Sequence, residues 1–180
     1  DAHIIRPANY PEGALGKGWK ILSIDGKIVL VINLLGRVFM RDLVDDPFRA
    51  FDRVIAENPA DVVVVDFHGE TTSERSAFGW YADGRATLVY GTHTHIPTAD
   101  QRILPGGTGF ITDVGMVGAY NSVIGVETAT ALPGYLNGHG VRFAYPEIGP
   151  AIVYALLVDI DEKTRIVKSL THLQREVIIS

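Results

Sequence analysis

Three histidines follow apolar segments of this sequence, in positions where they could bind a metal ion. His93 and His95 lie in the run Gly-Thr-His-Thr-His at 91–95, directly after an apolar stretch. His68 follows a second apolar stretch, at 62–67. Neutral imidazole is the commonest protein ligand of transition metals, and open α/β sheets bind ligands at the carboxyl ends of their strands. The pattern therefore predicts a metal site where three imidazoles converge.

The spacing of His93 and His95 favours two ions over one. In an extended strand the two side chains would share a face and lie roughly 6.5–7 Å apart along the chain. That separation is too long for both to bind one ion unless the backbone turns. It suits one histidine on each of two ions about 3.5–4 Å apart, as in two-metal hydrolytic sites. His68 would join them if its strand is the neighbour.

Three carboxylates near these strands have two interpretations each. Glu70 could accept a hydrogen bond from an imidazole N–H, or it could simply lie at the start of a helix. Asp66 and Asp113 end predicted strands, and each could orient a ligand or cap a loop. Each histidine, too, could be an ordinary polar residue at a strand end.

Other candidate chemistry has less support. Ser73 has no base and third group placed to make a hydrolytic triad. The glycine-rich stretch at 115–125 matches no phosphate-binding motif, so a flexible loop is predicted there. His3, His139 and His172 lack a preceding apolar strand, and we expect His172 to be solvated in a terminal strand.

The elements that would position the histidines indicate an α/β fold. The order strand, helix, strand across 62–90 is typical of a parallel crossover, which would bring the two histidine-bearing strand ends together. The predicted strands are 19–24 and 28–35 around an Asp-Gly turn, 62–67, 85–90, an antiparallel pair at 102–104 and 109–114, and a terminal pair at about 151–160 and 165–173. Helices are predicted from Pro47 to about Asn58, from Thr72 or Ser73 to Asp83, and near 126–132.

Composition limits the class of protein. With 180 residues, 47% of them hydrophobic, the chain suits one globular domain with a substantial core. A net charge of −5 with scattered lysines and arginines argues against a nucleic-acid duplex as partner. No apolar stretch reaches the length of a membrane span, and no signal peptide is apparent. The absence of cysteine excludes thiolate metal sites and fits a cytoplasmic location.

Several motifs together resemble a bacterial family of calcineurin-like metallophosphoesterases, which act as cyclic-nucleotide phosphodiesterases. The resemblance runs from residue 4 to about 160. It is carried by Val-Val-Asp-Phe-His-Gly-Glu at 64–70, Trp-Tyr-Ala-Asp-Gly-Arg at 80–85, Gly-Thr-His-Thr-His at 91–95 with Pro-Thr-Ala-Asp at 97–100, and Ile-Thr-Asp-Val-Gly-Met at 111–116. Arg-Pro-Ala-Asn-Tyr-Pro at 6–11 and Asn-Leu-Leu-Gly-Arg at 33–37 look like the same family.

The resemblance implies an α/β sandwich with mixed sheets and outer helices, and a dinuclear site that usually holds iron or manganese. In such a family an Asp, a bridging Glu, an Asn and three histidines bind the two divalent ions. By motif, His68 and His93 would serve one ion and His95 the other. The family's Asp, Glu and Asn ligands, and its general-acid histidine, belong to N-terminal motifs that do not occur here. The catalytic residue is therefore unknown from this sequence.

We therefore expect residues 1–180 to be the C-terminal part of a single metallophosphoesterase domain whose N-terminal segment is missing. The start at Asp1, without an initiating methionine, suggests a fragment or processed product. The complete protein would hydrolyse 2′,3′- or 3′,5′-cyclic nucleotides, and this chain would supply the histidine half of the site. Expected partners are a small phosphodiester substrate, the chain's own N-terminal fragment, and a second copy in a homo-oligomer.

Two other interpretations stay open. The chain could be a non-enzymatic module for assembly or regulation, with the glycine-rich loop and Trp80, Tyr81 and Tyr120 at an interface, although core packing would equally explain these aromatic residues. Alternatively, the three histidines could hold a single ion with an open coordination position. Metal content would separate the enzyme from the module, because a module would leave the histidines empty.

Overall fold

The structure is a computed structural model that describes residues 4–138, 140 and 142–180. Two sheets and three helices account for most of these residues. The elements are β1 (Trp19–Ile24), β2 (Lys27–Leu35), α1 (Pro47–Glu57), β3 (Val62–His68), α2 (Thr72–Ala82), β4 (Leu88–Thr92), β5 (Arg102–Ile103), β6 (Gly109–Ile111), β7 (Val117–Ala119), α3 (Thr128–Asn137), β8 (Gly149–Ile160) and β9 (Val167–Ile179).

The larger sheet has six strands in the order β1-β2-β3-β4-β6-β5. Strands β2, β3, β4 and β6 run parallel, while β1 and β5 pair antiparallel at the two edges. A second sheet, β7-β8-β9, is antiparallel throughout. The predicted α/β class with a mixed sheet is confirmed, and so is the parallel crossover β3-α2-β4.

Two local signals in the sequence form as predicted. Asp25 and Gly26 both have positive φ, 49° and 77°, as the tight turn between β1 and β2 requires. Helix α1 begins after Asp46, whose Oδ1 accepts hydrogen bonds from the backbone N–H groups of Phe48 (2.9 Å) and Arg49 (3.2 Å). These caps satisfy donors that the first helical turn would otherwise leave unpaired.

Helices α1 and α2 cover one face of the large sheet. The rings of Phe51 in α1 and Phe78 in α2 lie 5.4 Å apart, and Phe67 of β3 lies 4.6 Å from Phe78. All three side chains are fully buried, each contributing about 1.5–3 kcal/mol through apolar burial. Gly79 allows the close approach of α2, since a Cβ there would lie 2.4 Å from the Phe110 ring. In the described part of the chain, no helix is long and apolar enough to cross a membrane.

Some predicted boundaries are wrong. The strand predicted at 85–90 begins only at Leu88 and continues to Thr92. The strand predicted at 109–114 ends at Ile111, because the next backbone N–H groups donate to side chains instead of a neighbouring strand. Helix α3 runs to Asn137, beyond the predicted end near 132, and stops at Gly138 with φ 66°. Within the predicted glycine-rich loop, β7 forms by pairing with β8.

Candidate metal centre

The carboxyl ends of β2, β3 and β4 form the edge on which the candidate site lies. β3 ends at His68, which is in register with Thr92, the last residue of β4. His93 therefore begins the segment just beyond the same edge. The backbone closes around these ends, because Gly36 N–H donates to the His68 carbonyl (2.7 Å) and Gly69 N–H to the Thr92 carbonyl (3.2 Å).

A chain of hydrogen bonds orients His68. The Thr92 hydroxyl donates to Asp66 Oδ1 at 2.8 Å, and Asn33 donates to Asp66 Oδ2 at 2.9 Å. Since the Thr92 hydrogen is used in this way, its oxygen accepts from His68 Nδ1, 3.0 Å away. His68 Nε2 is then the nitrogen with the free lone pair. Partners of this kind fix the tautomer and orientation of metal-binding histidines.

His68 and His93 meet through their ring nitrogens. His68 Nε2 lies 3.1 Å from His93 Nδ1, and the two rings are nearly perpendicular at 85°. The opposite nitrogen of His93, Nε2, lies 2.6 Å from Glu70 Oε2. A carboxylate oxygen accepts, so the contact is one in which His93 Nε2 donates to Glu70. Glu70 therefore accepts a hydrogen bond from an imidazole, which is the first of its two interpretations.

His95 faces a different way. The backbone turns directly after β4: φ is 134° at His93 and 66° at His95, so the two residues do not follow strand geometry. The prediction that they share one face of an extended strand is therefore wrong. His95 Nδ1 lies 2.7 Å from the carbonyl oxygen of Ile124 in the glycine-rich segment. Among the described residues, no three His, Asp or Glu side chains are grouped to hold a metal ion.

Burial sets the protonation of the inner part of the site. It lowers the pKa of His68, and the neighbouring His93 lowers it further, so His68 is a neutral imidazole at neutral pH. Burial also raises the pKa of Asp66, although the hydrogen bonds from Thr92 and Asn33 oppose this shift. Burial, with Asp66 nearby, raises the pKa of Tyr90 to about 12. Neutral imidazole is the form that binds metals.

The donor set fits one part of a metal centre. His68 Nε2 and His93 Nδ1 lie 3.1 Å apart, and these two nitrogens would together hold one cation. Asp66 is engaged with Thr92 and Asn33, and Glu70 with His93. Within the described ranges no carboxylate is thus placed to bridge two ions, as a tight dinuclear site would require.

The remaining histidines lie apart from this pair or outside the described residues. His172 Nε2 donates to the carbonyl of Val114 at 2.9 Å, and its ring stacks on Tyr154 with 5.5 Å between centroids. The expectation that His172 is solvated is therefore wrong, because this half-buried imidazole has specific contacts. His3 and His139 lie outside the described residues.

Two residues of the site were missed from the sequence. The motif Gly-Thr-His-Thr-His gave no role to Thr92, the residue before His93. Arg75 lies on α2 and is 1% exposed, paired with Asp113. Helical spacing offers a signal for it, since Arg75, Phe78, Gly79 and Ala82 make up the buried stripe of α2. A charged residue on that stripe requires a buried partner.

Comparison with known proteins places this fold and these motifs in one family. The model of the YmdB-like protein family matches residues 1–173. The chain belongs to this family. It is 47% identical over 165 residues to the 2′,3′-cyclic-nucleotide 2′-phosphodiesterase of Bacillus subtilis, with 91% of this chain and 62% of that protein covered. The resemblance of the sequence to metallophosphoesterases is confirmed.

Two solved structures superpose closely on the chain. A protein from Thermus thermophilus has a TM-score of 0.90 and 44% identity, covering 96% of this chain and 67% of its own. A phosphatase from Mycoplasma pneumoniae has a TM-score of 0.90 and 31% identity, covering 99% of this chain and 66% of its own. The chain spans 54–62% of the length of the curated relatives it matches.

Proposed function

We propose that this YmdB-like chain contributes the imidazole ligands of a metal-dependent phosphodiesterase that hydrolyses cyclic nucleotides. The observation that carries the proposal is the contact between His68 Nε2 and His93 Nδ1 at the carboxyl edge of β3 and β4. The 2′,3′-cyclic class is favoured over the 3′,5′-cyclic class, because the Bacillus subtilis relative is named for activity on the former.

We assign His68 and His93 to one divalent ion and His95 to a second, with iron or manganese as the metals. Ions of this kind, when bound, activate water and neutralise charge on a phosphodiester. The residues of this chain prepare the ligands: Asp66 and Thr92 hold His68 with Nε2 free, and Glu70 holds His93 from the far side. His95 would exchange its contact with Ile124 for the second ion.

The proposal requires carboxylate ligands beyond the three imidazoles. Three neutral nitrogen donors do not balance the charge of two dications, and in the described residues no side chain bridges the site. We therefore propose that residues 1–180 form part of a single metallophosphoesterase domain and that a separate segment completes the metal centre. The fraction of the relatives' length that the chain spans supports this division.

The test compares this chain alone with a chimera. In the chimera, the part of the Bacillus subtilis phosphodiesterase that this chain does not span is joined before residue 1. Hydrolysis of a 2′,3′-cyclic nucleotide and of bis-nitrophenyl phosphate is measured with added Mn²⁺. We expect turnover by the chimera and none by the chain alone.

The matched variants are His93→Ala and His172→Ala in the chimera. His93→Ala should abolish turnover, whereas His172→Ala, outside the proposed ligand set, should keep it within about threefold. Turnover by the chain alone would contradict the need for a second segment. A chimera that binds Mn²⁺ but hydrolyses neither substrate would contradict the proposed activity.

A site with one ion is the second candidate, favoured by the separate hydrogen bond of His95 to Ile124. In that case His68 and His93 alone would contribute imidazoles to the ion. Metal analysis of the active chimera distinguishes the two candidates, because the dinuclear site requires two equivalents of metal per chain and the mononuclear site one.

A further inference from the structure

Asp113 is a buried residue whose hydrogen bonds hold the segment carrying His93 and His95. It is 1% exposed and lies two residues after the end of β6. Its Oδ2 accepts from the backbone N–H of Thr94 at 2.9 Å, and its Oδ1 accepts from Gly115 N–H at 2.9 Å. Thr98 also holds its backbone: the Asp113 N–H donates to the Thr98 hydroxyl at 2.9 Å, and the Thr98 N–H donates to the Asp113 carbonyl at 3.0 Å. Asp113 therefore fixes the segment both between the two histidines and just after them.

Arg75 connects Asp113 to the loop that follows His68. Its Nη1 donates to Asp113 Oδ2 at 2.5 Å, and its Nη2 donates to the Glu70 carbonyl at 3.3 Å. The carboxylate of the same Glu70 contacts His93 Nε2. Arg75 thus contacts two residues that hold His93 in place. Asp113 binds the backbone just after His93, and the side chain of Glu70 contacts the His93 ring.

The backbone conformation of His93 and His95 requires contacts of this kind. His93 and His95 both have φ values in the range that side chains other than glycine rarely adopt, 134° and 66°. Such conformations persist only where surrounding contacts enforce them. Close packing at Gly91 adds a second constraint, since a Cβ there would lie 1.7 Å from the Thr112 carbonyl oxygen and 3.0 Å from Arg75 Cδ.

We propose that Arg75 and Asp113 are positioning residues that set the orientation of His93 and His95, joining the His68–Glu70 loop to the 93–98 segment. The effect of these two residues on metal binding rests on the proposed function. Their effect on the orientation of the imidazoles does not rest on it. A buried ion pair is weak evidence for stability alone, because apolar residues of similar volume often replace one without loss.

The main test variant removes both charges together. Arg75→Met with Asp113→Leu keeps the volume and leaves no unpaired buried charge, so the fold should survive, but Thr94 N–H loses its acceptor. The second variant, Arg75→Lys, keeps a cation beside Asp113, although one ammonium cannot also reach the Glu70 carbonyl. The control is Arg85→Met with Asp52→Leu, which removes an exposed ion pair elsewhere on the same helical layer.

The first readout uses the metal-free chain. NMR spectra record the imidazole resonances and the through-space contact between the His68 and His93 rings. In the double variant we expect that contact to disappear and the His93 and His95 resonances to move. Arg75→Lys should move His93, through Glu70, and leave His95 in place. The control should change neither histidine.

The second readout is the affinity of the chimera for Mn²⁺, which should fall about 10- to 100-fold when the chimera carries the double substitution, as when the residues that orient a ligand are removed. A double variant that keeps the His68–His93 contact and both resonances would overturn the proposal. If that variant does not fold, an unshifted His93 in Arg75→Lys overturns it instead. A wild-type chimera that binds no Mn²⁺ contradicts the metal assignment, whereas the metal-free spectra of the chain still decide the positioning role.

Discussion

At the scale of single residues, Thr92 connects the candidate ligand His68 to a buried carboxylate. Its hydroxyl donates to Asp66 and accepts from His68 Nδ1, which leaves Nε2 of His68 facing His93. A residue that passes a hydrogen bond from a carboxylate to an imidazole controls which nitrogen is free. The effect of removing the Thr92 hydroxyl should therefore appear in metal binding more than in stability.

Replacing Thr92 with valine tests this role. The change keeps the side-chain shape but removes the hydroxyl, so His68 is no longer held in one tautomer. We expect the affinity for Mn²⁺ to fall about 10- to 100-fold and the free energy of unfolding to fall by about 1 kcal/mol. Isothermal titration and urea unfolding measure the two quantities. The control is Thr94→Val, whose hydroxyl donates to the nearby Ile96 carbonyl. Equal losses in both variants would contradict the account.

The sequence predicted part of this arrangement. Apolar runs before His68 and His93, with a crossover between them, were sufficient to predict that the two residues meet. The direction of His95 was not predictable, because it depends on positive φ at two residues that rarely adopt it. Arg75 and Asp113 enforce that turn from distant parts of the chain, and their pairing across 38 positions has no local signal.

At the scale of elements, the loop after β4 is attached to the end of β6 by Asp100 as well as by Asp113. The Asp100 carboxylate accepts from the Thr112 hydroxyl at 2.5 Å, the Thr112 N–H at 3.1 Å and the Thr98 hydroxyl at 2.6 Å. Burial alone would raise the pKa of Asp100, but the hydrogen bonds from Thr112 and Thr98 outweigh it and lower this pKa. Ionised Asp100 therefore stabilises the folded chain.

Acid should remove this contribution. Since the folded pKa of Asp100 lies below its unfolded value, the stabilisation is complete above about pH 4 and disappears as the pH falls through the folded pKa. We expect Asp100→Asn to lower the free energy of unfolding at pH 6 and to reduce its dependence on pH below about 4. Urea unfolding at several pH values measures this. Asp42→Asn, at an exposed position, is the control, and an equal change in slope there would refute the role of Asp100.

Prediction of the elements succeeded where signals are local and failed where they are not. Helix α1 has a capping Asp46 and a proline in its first turn, and the β1–β2 turn has Asp-Gly, so both were predictable. Strand β7 is only three residues long and forms because β8 lies beside it. No periodic pattern in Val-Gly-Ala could indicate that pairing.

At the scale of the whole molecule, the site depends on α2 lying close to the sheet. Arg75 reaches Asp113 from α2, and Gly79 on the same helix packs directly on the Phe110 ring of β6. The contact of Gly79 therefore sets the distance between the helix and the strand end that carries Asp113. A change that moves α2 away from the sheet should therefore also displace the segment that carries His93 and His95.

Substituting Gly79 with alanine tests this packing. Alanine is the better helix former by about 1 kcal/mol, but its Cβ would lie 2.4 Å from the Phe110 ring. We expect a net loss of about 1–3 kcal/mol in the free energy of unfolding, because overpacking outweighs propensity. Urea unfolding measures the loss, with Ser76→Ala on the same helix as the control. A stabilised Gly79→Ala variant would show that α2 has room to move.

The most direct test of the metal assignment follows the imidazole nitrogens of the chimera, in which the proposed centre is complete, during titration with Zn²⁺, a diamagnetic stand-in for iron or manganese. The account predicts that ¹⁵N resonances of His68 and His93 shift together as they bind the ion, that His95 shifts with the same or a second equivalent, and that His172 keeps its position. The account would be contradicted if saturating Zn²⁺ left the resonances of His68 and His93 unchanged.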